Sequence, residues 1–256
     1  MRIFFNKHSV FKVFIGFFAF YNTFVYADFG FISDKDGFSN LREEATLSSQ
    51  VIGKVENGEI VSCILEEETS NFCFVNISNG KVGYIYKNRI NFFQKFNSVN
   101  LVKFMPNLAV YGNSNIVVSV SSKTLDKNKI MYEKKDSKYY IGNKYLWGTD
   151  NQMPTSDFLQ LSKIKVEYGG KVIAILSNDL EEFLFTKDGL NGRNELADFK
   201  IYYKDGDIYI MNQFNSGGAG AYNLFFHIKD QKVVDKKVWL EEIWRFFLTG
   251  RFFKEK

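Results

Sequence analysis

The stretch DKDGFSNLREEATLSSQVIGKVENGEIV, from Asp34 to Val61, decides the fold of the first part of this chain. Short runs that contain β-branched and aromatic residues alternate there with the turn pairs Asp36-Gly37 and Asn57-Gly58. Asp-Gly and Asn-Gly favour tight turns because they tolerate positive φ values. The stretch therefore predicts three short strands with turns between them, and it holds no cluster of residues that could do chemistry.

The same pattern extends from Asp28 to about Phe96. The runs EIVSCIL, FCFVNI and KVGYIY are again rich in β-branched and aromatic residues, and a further turn pair, Asn79-Gly80, lies between the last two. No helical period interrupts these runs. A segment of this length with that pattern predicts a small all-β barrel.

The quoted stretch, together with NFCFVNISNGKVGYIYKNRI, resembles the bacterial SH3 (SH3b) domain. The resemblance lies in an Asn-Leu-Arg strand, a variable loop, a VIGKV-x-NG turn and a closing GYIYKNRI, and it covers Asp34 to Ile90. Two positions depart from the family: Ala45 stands where members often carry Pro, and the strand Asn71-Phe72-Cys73-Phe74 lacks their Trp. Phe keeps the apolar face of such a strand but loses the indole N–H donor.

The resemblance implies a module that binds a cell-wall peptide or a protein. On this chain it implies five ligand-binding residues, four of them aromatic and one a possible partner for an anion. They are Phe72, Phe74, Tyr84, Tyr86 and Arg42. Alternation places Phe72 and Phe74 on one face of their strand, and that face is either the binding groove or the barrel core.

Residues 1–27 have the pattern of a secretory signal peptide, with a basic start and a short apolar run, VFIGFFAFY. Its basic residues are Arg2, Lys7 and Lys12. The apolar run is shorter than the roughly 20 residues of a membrane-spanning helix, and Val25 and Ala27 fit a cleavage site. We expect cleavage before Asp28, a periplasmic or secreted protein, and no transmembrane segment after cleavage; the alternative is an uncleaved N-terminal anchor.

The charge of the mature chain would be nearly balanced. The sequence has 33 Lys and Arg against 29 Asp and Glu, and three of the basic residues fall within residues 1–27. Nucleic acids and anionic membranes both need a concentrated positive field. The composition therefore gives no electrostatic case for either as a partner.

The only cysteines, Cys63 and Cys73, are predicted on the two arms of one hairpin whose loop lies around Glu67 to Ser70. That placement would set them directly opposite each other, within reach of a disulfide bond. An exported chain passes through an oxidising compartment, and neither cysteine has a histidine nearby in sequence to activate it. We expect a structural disulfide.

The length that remains after residues 1–27 predicts two domains, residues 28–96 and residues 97–256. The second domain contains three hairpin patterns. Their turns are predicted at Gly169-Gly170, Asp205-Gly206 and Asp230-Gln231. Asn178 to Phe185 predicts one short helix, with Asn178 or Asp179 as its cap.

The run VWLEEIWRFFL predicts a C-terminal helix with one apolar stripe. The residues of the stripe are Leu240, Ile243, Trp244, Phe247 and Leu248. We expect this helix to close the core of the second domain; a membrane-surface or partner-binding helix is the alternative. The predicted fold class is mostly β, a small SH3-like β-barrel followed by a β-rich α+β domain with a C-terminal helix.

Residues that could catalyse a reaction are scarce. His8 would leave with the signal peptide, and His227 lies in the predicted strand NLFFHIK, where a satisfied structural role is usual. The sequence has no Gly-x-Ser-x-Gly elbow, no phosphate-binding Gly-x-x-x-x-Gly-Lys and no His-Glu-x-x-His motif. We expect no catalytic residue, no metal and no cofactor.

Three further stretches have unusual composition. Asn215 to Asn223 is rich in glycine, and it either admits a ligand or forms a bulged loop. Leu146 to Pro154 is a polar loop with Trp147 and Asp150 as possible contact residues. Glu66 to Glu68 lies in a predicted hairpin loop, where a charge run is usually a solvated surface.

The leading hypothesis is a non-catalytic envelope protein whose SH3b module binds a cell-wall peptide or a protein. The first alternative is a periplasmic inhibitor or immunity protein that neutralises a wall-degrading toxin. The second is a glycosidase that works through a pair of carboxylates, for which 29 acidic residues leave room.

Overall fold

The computed structural model describes residues 28–64, 70–125, 132–187, 194–214 and 220–241. Strands dominate these residues, and the prediction of a mostly β protein is confirmed. The predicted signal peptide, residues 1–27, lies outside the described residues.

The first sheet has seven strands. They are β1 Asp28–Ile32, β2 Phe38–Arg42, β3 Val51–Glu56, β4 Ile60–Ile64, β5 Phe72–Ile77, β6 Val82–Tyr86 and β7 Ile90–Phe92. Their order across the sheet is β3-β2-β6-β5-β4-β1-β7. All seven contribute to one buried apolar cluster, so the sheet curls around its own core. The cluster consists of Ile32, Leu41, Val55, Val61, Cys63, Cys73, Val75, Ile77, Ile85, Ile90 and Phe92.

Curling brings β2 against β6, and Gly83 makes this approach possible. A Cβ atom at Gly83 would lie 2.8 Å from the carbonyl oxygen of Arg42 and 2.9 Å from the Leu41 side chain. Arg42 is the register partner of Tyr84, which follows Gly83. The absent side chain therefore lets two strands that are distant in sequence close the curl.

All three predicted turn pairs have glycine at positive φ: Gly37, Gly58 and Gly80. Only Asn79-Gly80 joins two neighbouring strands, β5 and β6. The other two turns carry the chain between strands that are not paired with each other. A tight turn is encoded by adjacent residues, whereas strand pairing is decided by the packing of the whole barrel.

The predicted disulfide between Cys63 and Cys73 is present, with a Cα–Cα distance of 5.7 Å. The sequence had suggested that the two residues lie directly opposite each other, and this detail is wrong. Cys63 pairs with Val75, and Ile64 pairs with Phe74. A shift of two residues leaves every side chain on the same face of the sheet, so the alternating pattern could not reveal it.

The second sheet contains strands from the middle of the chain. They are β9 Asn100–Met105, β10 Leu108–Gly112, β11 Ile116–Thr124, β15 Phe158–Tyr168, β16 Lys171–Leu176 and β17 Leu184–Thr186. Its order is β16-β15-β11-β10-β9, and β17 pairs with β15. A small third sheet is formed by β12 Tyr132–Lys135, β13 Lys138–Ile141 and β14 Lys144–Tyr145.

The fourth sheet runs in the order β21-β20-β19-β18-β8. Its strands are β8 Asn97–Ser98, β18 Lys200–Lys204, β19 Asp207–Phe214, β20 Tyr222–Lys229 and β21 Lys232–Leu240. Three predicted hairpins are confirmed: β15 with β16, β18 with β19, and β20 with β21.

The fourth sheet is the middle layer of the molecule. On β20, Leu224 and Phe226 belong to the large core shared with the second sheet. Phe225 points to the other side and joins Phe29 of β1 and Phe93, which directly follows β7, in a second cluster. Both faces of β20 are therefore covered, which explains its nearly continuous run of apolar residues.

The predicted helix from Asn178 to Phe185 is wrong. The chain makes turns there, Phe183 forms a bridge with Trp147, and Leu184 begins β17. Glu181 and Glu182 bind Lys144 and Lys236 instead of standing at a helix N-terminus. Strand pairing and ion pairs thus replace the predicted helical turn.

The predicted C-terminal helix does not begin where the sequence suggested. Val238 and Leu240 lie in β21 and pair with Leu224 and Tyr222 of β20. The rest of the predicted helix, residues 242–248, lies outside the described residues. Within the described ranges the only helical elements are short 3₁₀ turns at Lys87–Arg89, Phe93–Lys95 and Glu195–Asp198, so no α-helix supports the α+β assignment there.

Candidate ligand-binding site

A row of four side chains crosses the outer face of the barrel. The strand registers pair Arg42 with Tyr84, Tyr84 with Phe74, and Phe74 with Ile64. Directly paired residues point to the same side of a sheet, so the row spans β2, β6, β5 and β4 on one face. Three of the five predicted binding residues therefore stand in one line.

The other two predicted residues extend this face by one step. Phe72 pairs with Tyr86, and their ring centroids are 5.1 Å apart at an interplanar angle of 85°. Phe74 and Tyr84 repeat the arrangement at 5.3 Å and 68°. Edge-to-face pairs of this kind stabilise the sheet beyond the burial of their area. We call Ile64, Phe72, Phe74, Tyr84 and Tyr86 the aromatic face.

The aromatic face is not the barrel core. Cys73, Val75 and Ile85, which alternate with the aromatic residues, fill that core from the other side of β5 and β6. The aromatic face is nevertheless closed to solvent over most of its area, because Phe72, Phe74 and Tyr84 are only 8%, 6% and 4% exposed. Tyr86, at its border, is partly exposed.

Arg42 is tied to the loop between β2 and β3. Its Nη1 donates a hydrogen bond to the carbonyl oxygen of Ser49 over 2.8 Å. In the same loop, the main-chain N–H of Glu44 donates to the Ser49 hydroxyl oxygen at 2.8 Å. A guanidinium has five N–H donors, so this bond orients Arg42 and leaves capacity for an anion.

A buried polar cluster borders the aromatic face where β21 ends. The Asn76 side chain donates through Nδ2 to the carbonyl oxygen of Leu240 over 3.0 Å. Glu241, the next residue, is 4% exposed, and burial raises the pKa of its carboxyl to about 8. Asn223, on the same side of the neighbouring strand β20, is completely buried. These residues were missed in the sequence, because their burial depends on the contact between the barrel and the fourth sheet.

His227 lies on β20, away from the aromatic face. Its ring stacks on Tyr209 with a centroid distance of 4.6 Å, and Nε2 is 3.1 Å from Asp207 Oδ1. A stacked ring beside one carboxylate is held in place, as expected for a structural histidine. In the part of the chain that the structure describes, no group of three metal-ligating side chains is found.

The two unusual loops of the second unit meet. A Cβ atom at Gly220 would lie 2.8 Å from the main-chain nitrogen of Asp150, so the glycine allows the two backbones to touch. Trp147 packs edge-on against Tyr145, with ring centroids 5.0 Å apart, and at a tilt of 41° against Tyr222, with centroids 6.0 Å apart. Residues 215–219 of the glycine-rich stretch lie outside the described residues, as do Glu66 to Glu68.

Three acidic residues that lie near one another in sequence, Asp179, Glu181 and Glu182, form ion pairs with lysines. Lys144 Nζ lies 2.9 Å from Asp179 Oδ1 and 2.8 Å from Glu181 Oε1. Lys236 Nζ lies 2.7 Å from Glu182 Oε1. The hydrogen bond from Lys144 lowers the pKa of the Asp179 carboxyl. A glycosidase acid needs the opposite, a carboxyl that holds its proton, so this group is better described as an ion-pair network that joins β14 to the turn before β17.

None of the helical segments among the described residues could cross a membrane, since all are too short.

A shallow cleft of about 260 Å³ lies between the second and fourth sheets, with Tyr111, Phe199 and Lys200 in its wall. The Tyr111 hydroxyl there donates to the Leu196 carbonyl and accepts from the Phe199 N–H, at 2.6 and 3.0 Å. This cleft does not adjoin any of the predicted binding residues.

Comparison with known proteins identifies the first unit. The family model of the bacterial SH3 domain matches residues 37–91, about one fifth of the chain. The match begins one residue before β2 and ends within β7, so it contains all five predicted binding residues. No curated protein matches this chain. The resemblance seen in the sequence is therefore confirmed, while the second unit is recognised by no family.

Proposed function

We propose that this protein is exported to the cell envelope and binds, without catalysis, a cell-wall peptide or a protein through its bacterial SH3 domain. The supporting observation is the family match to residues 37–91 together with the outward row of Arg42, Tyr84 and Phe74. Bacterial SH3 domains bind peptide or protein partners. The nearly balanced charge of the chain without residues 1–27 fits a partner recognised by shape and hydrogen bonds.

Arg42 and Tyr86 are the two residues best placed to meet a ligand first. Tyr86 is partly exposed at the border of the aromatic face, and Arg42 ends the row on β2. A guanidinium binds a carboxylate through two parallel hydrogen bonds, which suits a peptide C-terminus or an acidic side chain. The buried Phe72 ring packs edge-on against Tyr86 and so fixes its position.

Co-sedimentation with purified peptidoglycan sacculi tests this proposal. The chain from Asp28 to Lys256 is expected to pellet with the sacculi, and the Arg42→Ala/Tyr86→Ala variant is expected to lose at least about tenfold in affinity. Tyr168→Ala, a change of an exposed tyrosine on β15, is the matched control and keeps the affinity of the unaltered chain. Wall binding is wrong if the unaltered chain stays in the supernatant.

A protein partner, as in the inhibitor hypothesis, is the second candidate, and the outer face of the second sheet favours it. Val172 and Ile175, both on the edge strand β16, are 50% and 55% exposed. Neighbouring exposed apolar side chains are typical of a protein interaction surface when they form a contiguous patch. The inhibitor hypothesis predicts that the full chain slows a wall-degrading enzyme and that Val172→Lys/Ile175→Lys abolishes this effect. Lys171 is a neighbouring exposed residue, and the Lys171→Ala variant is the control. It is expected to inhibit the enzyme as strongly as the unaltered chain.

A further inference from the structure

Four buried residues at the contact between the barrel and the fourth sheet carry polar atoms without a hydrogen-bond partner. They are Asn76, Asn223, Trp239 and Glu241, each at most 4% exposed, and we call them the polar cluster. Among the described residues, the unpaired atoms are Asn76 Oδ1, both polar atoms of the Asn223 side chain, Trp239 Nε1 and both carboxyl oxygens of Glu241. Buried polar groups in folded proteins are nearly always paired with another protein group or with water, so these six atoms need partners.

The strand register brings three of these residues together. Asn223 of β20 lies directly opposite Trp239 of β21. The main-chain N–H of Glu241 donates to the carbonyl oxygen of Ala221 over 2.8 Å, so the pairing of the two strands continues for one more residue. Glu241 lies two residues beyond Trp239 and therefore faces the same side of the sheet as Asn223. Directly opposite and diagonal neighbours on one face have side chains within reach of each other.

Asn76 approaches the same place from the barrel. Its Nδ2 donates to the carbonyl oxygen of Leu240 over 3.0 Å, and its Oδ1 belongs to the same amide group, so Oδ1 also lies beside the end of β21. Across the barrel sheet, Asn76 pairs with Ser62, and Ser62 pairs with Phe29. The Phe29 ring packs edge-on against Trp239, with centroids 6.3 Å apart. The polar cluster therefore lies between the barrel and the fourth sheet.

The unpaired atoms of the polar cluster include both donors and acceptors. The indole N–H of Trp239 and the amide N–H groups of Asn223 donate, whereas the amide oxygens of Asn76 and Asn223 accept. Burial raises the pKa of the Glu241 carboxyl to about 8, so at neutral pH this group keeps its proton and adds one donor and one acceptor. A metal cation could bind only the acceptors and would be repelled by the neighbouring N–H donors. Water both donates and accepts, so it suits every one of these atoms.

We propose that the polar cluster is an internal binding site for ordered water, which bridges Asn76 of the barrel to Asn223 and Glu241 beside the fourth sheet. A buried water molecule makes about three hydrogen bonds, so about two molecules satisfy the cluster. The barrel and the second domain are then joined by a hydrated polar contact next to the apolar one around Phe29 and Phe225. The site takes no part in the proposed ligand binding, so its failure leaves wall binding untouched.

Water-selective NOE spectroscopy of the nitrogen-labelled full chain tests the proposal without any substitution. The side-chain amide of Asn223 and the indole N–H of Trp239 are expected to show cross-peaks at the water frequency, with the sign of water that tumbles with the protein. Bulk water cannot give this signal, because Asn223 is 0% and Trp239 only 3% exposed. Absence of a cross-peak at both groups would overturn the proposal.

Two variants control for magnetisation that passes through exchangeable side-chain protons. Ser62→Ala removes a buried hydroxyl proton next to Asn76 in the barrel sheet. Glu241→Gln removes the carboxyl proton but keeps a donor and an acceptor. Both variants are expected to retain the cross-peak at Asn223. Its loss in either variant would assign the signal to that proton and contradict a bound water.

Asn223→Leu tests whether the polar cluster itself holds the water. Leucine is close to asparagine in size but offers no hydrogen bond, so the cross-peak at Trp239 is expected to weaken several-fold. Asn100→Ala, at an exposed position on β9, is the control and leaves the cross-peak unchanged. An undiminished cross-peak in Asn223→Leu would place the water elsewhere and contradict the proposal. If Asn223→Leu does not fold, the cross-peaks of the unaltered chain decide.

Thermal unfolding in different salts distinguishes water from a metal cation. The melting temperature of the full chain is expected to be the same in sodium, potassium and calcium chloride at equal ionic strength. A rise with one of these cations that disappears in Glu241→Gln would assign the polar cluster to that cation and overturn the proposal.

Discussion

Asn76 on β5 donates its side-chain N–H to the carbonyl oxygen of Leu240 over 3.0 Å, and so connects the barrel with the last residue of the final described strand. The two residues are 164 positions apart in the chain. Asn76 is completely buried. Water can therefore replace this hydrogen bond only when the protein unfolds.

Replacing Asn76 by alanine is expected to destabilise the protein by about 1–3 kcal/mol, since the Leu240 carbonyl loses its donor inside the molecule. Denaturant unfolding of the full chain measures this. Asn100→Ala, a change of an exposed asparagine at the start of β9, is the control and is expected to stay within about 0.5 kcal/mol of the unaltered chain. Equal stability of the two variants would show that the bond contributes nothing.

Glu241 predicts a pH dependence of stability. Burial raises the pKa of its carboxyl from 4.5 to about 8, so the folded state keeps a proton that the unfolded state releases between these values. The contribution of Glu241 to the free energy of unfolding is therefore greatest below about pH 4.5. It falls as the pH rises towards 8, by at most about 1.4 kcal/mol per pH unit.

The Glu241→Gln variant removes this contribution. Its stability is expected to exceed that of the unaltered chain most clearly at pH 8, whereas the two agree at pH 4.5. Thermal unfolding across this pH range measures the difference. Glu56→Gln, at an exposed position on β3, should retain the slope of the unaltered chain; a slope that survives in Glu241→Gln would assign it to another group.

Gly83→Ala is expected to destabilise the barrel by about 1–3 kcal/mol, because the new methyl group would lie 2.8 Å from the carbonyl oxygen of Arg42. Gly53→Ala is a matched control on β3 of the same sheet, where a Cβ meets no atom within 4 Å. Urea denaturation of both variants compares them. The proposed close approach of β2 and β6 is contradicted if the two substitutions have the same effect.

Reduction of the disulfide between Cys63 and Cys73 is expected to lower the free energy of unfolding by about 3 kcal/mol, since the short loop between them regains its freedom in the unfolded chain. Melting temperatures with and without dithiothreitol measure this. In the Cys63→Val/Cys73→Val variant the reductant should have no effect. A fall in melting temperature there would reveal an action of the reductant unrelated to this bond.

Much of the strand content could be predicted because its signals are local. The hairpin at Asp205-Gly206, for example, needs only a turn pair and two flanking alternating runs. Val238 to Leu240 shows the limit of such signals. Three consecutive residues fit an apolar helical stripe and a strand equally well, and the pairing of Leu240 with Tyr222 decides for the strand.

The sequence could predict that two of the candidate residues share a face, but not what surrounds that face. Alternation along β5 placed Phe72 and Phe74 on one face, and the strand registers add Tyr84 and Tyr86 to it. That the face lies outside the barrel core depends on how the whole sheet curls, which alternation along single strands does not reveal. The burial of Glu241 could not be predicted either, because no neighbouring residue in the sequence indicates it.

Because the fourth sheet lies in the middle of the molecule, the barrel cannot cover its outer apolar side chains until the fourth sheet has folded against it. Phe29, Ile60 and Phe93 belong to the part of the chain that is synthesised first, yet their partners Met211, Phe225 and Trp239 come at the end. During synthesis these aromatic and aliphatic side chains stay uncovered until the last strand is made. A fragment cut after the barrel would keep them uncovered permanently and is expected to aggregate, so a shorter version needs polar substitutions there.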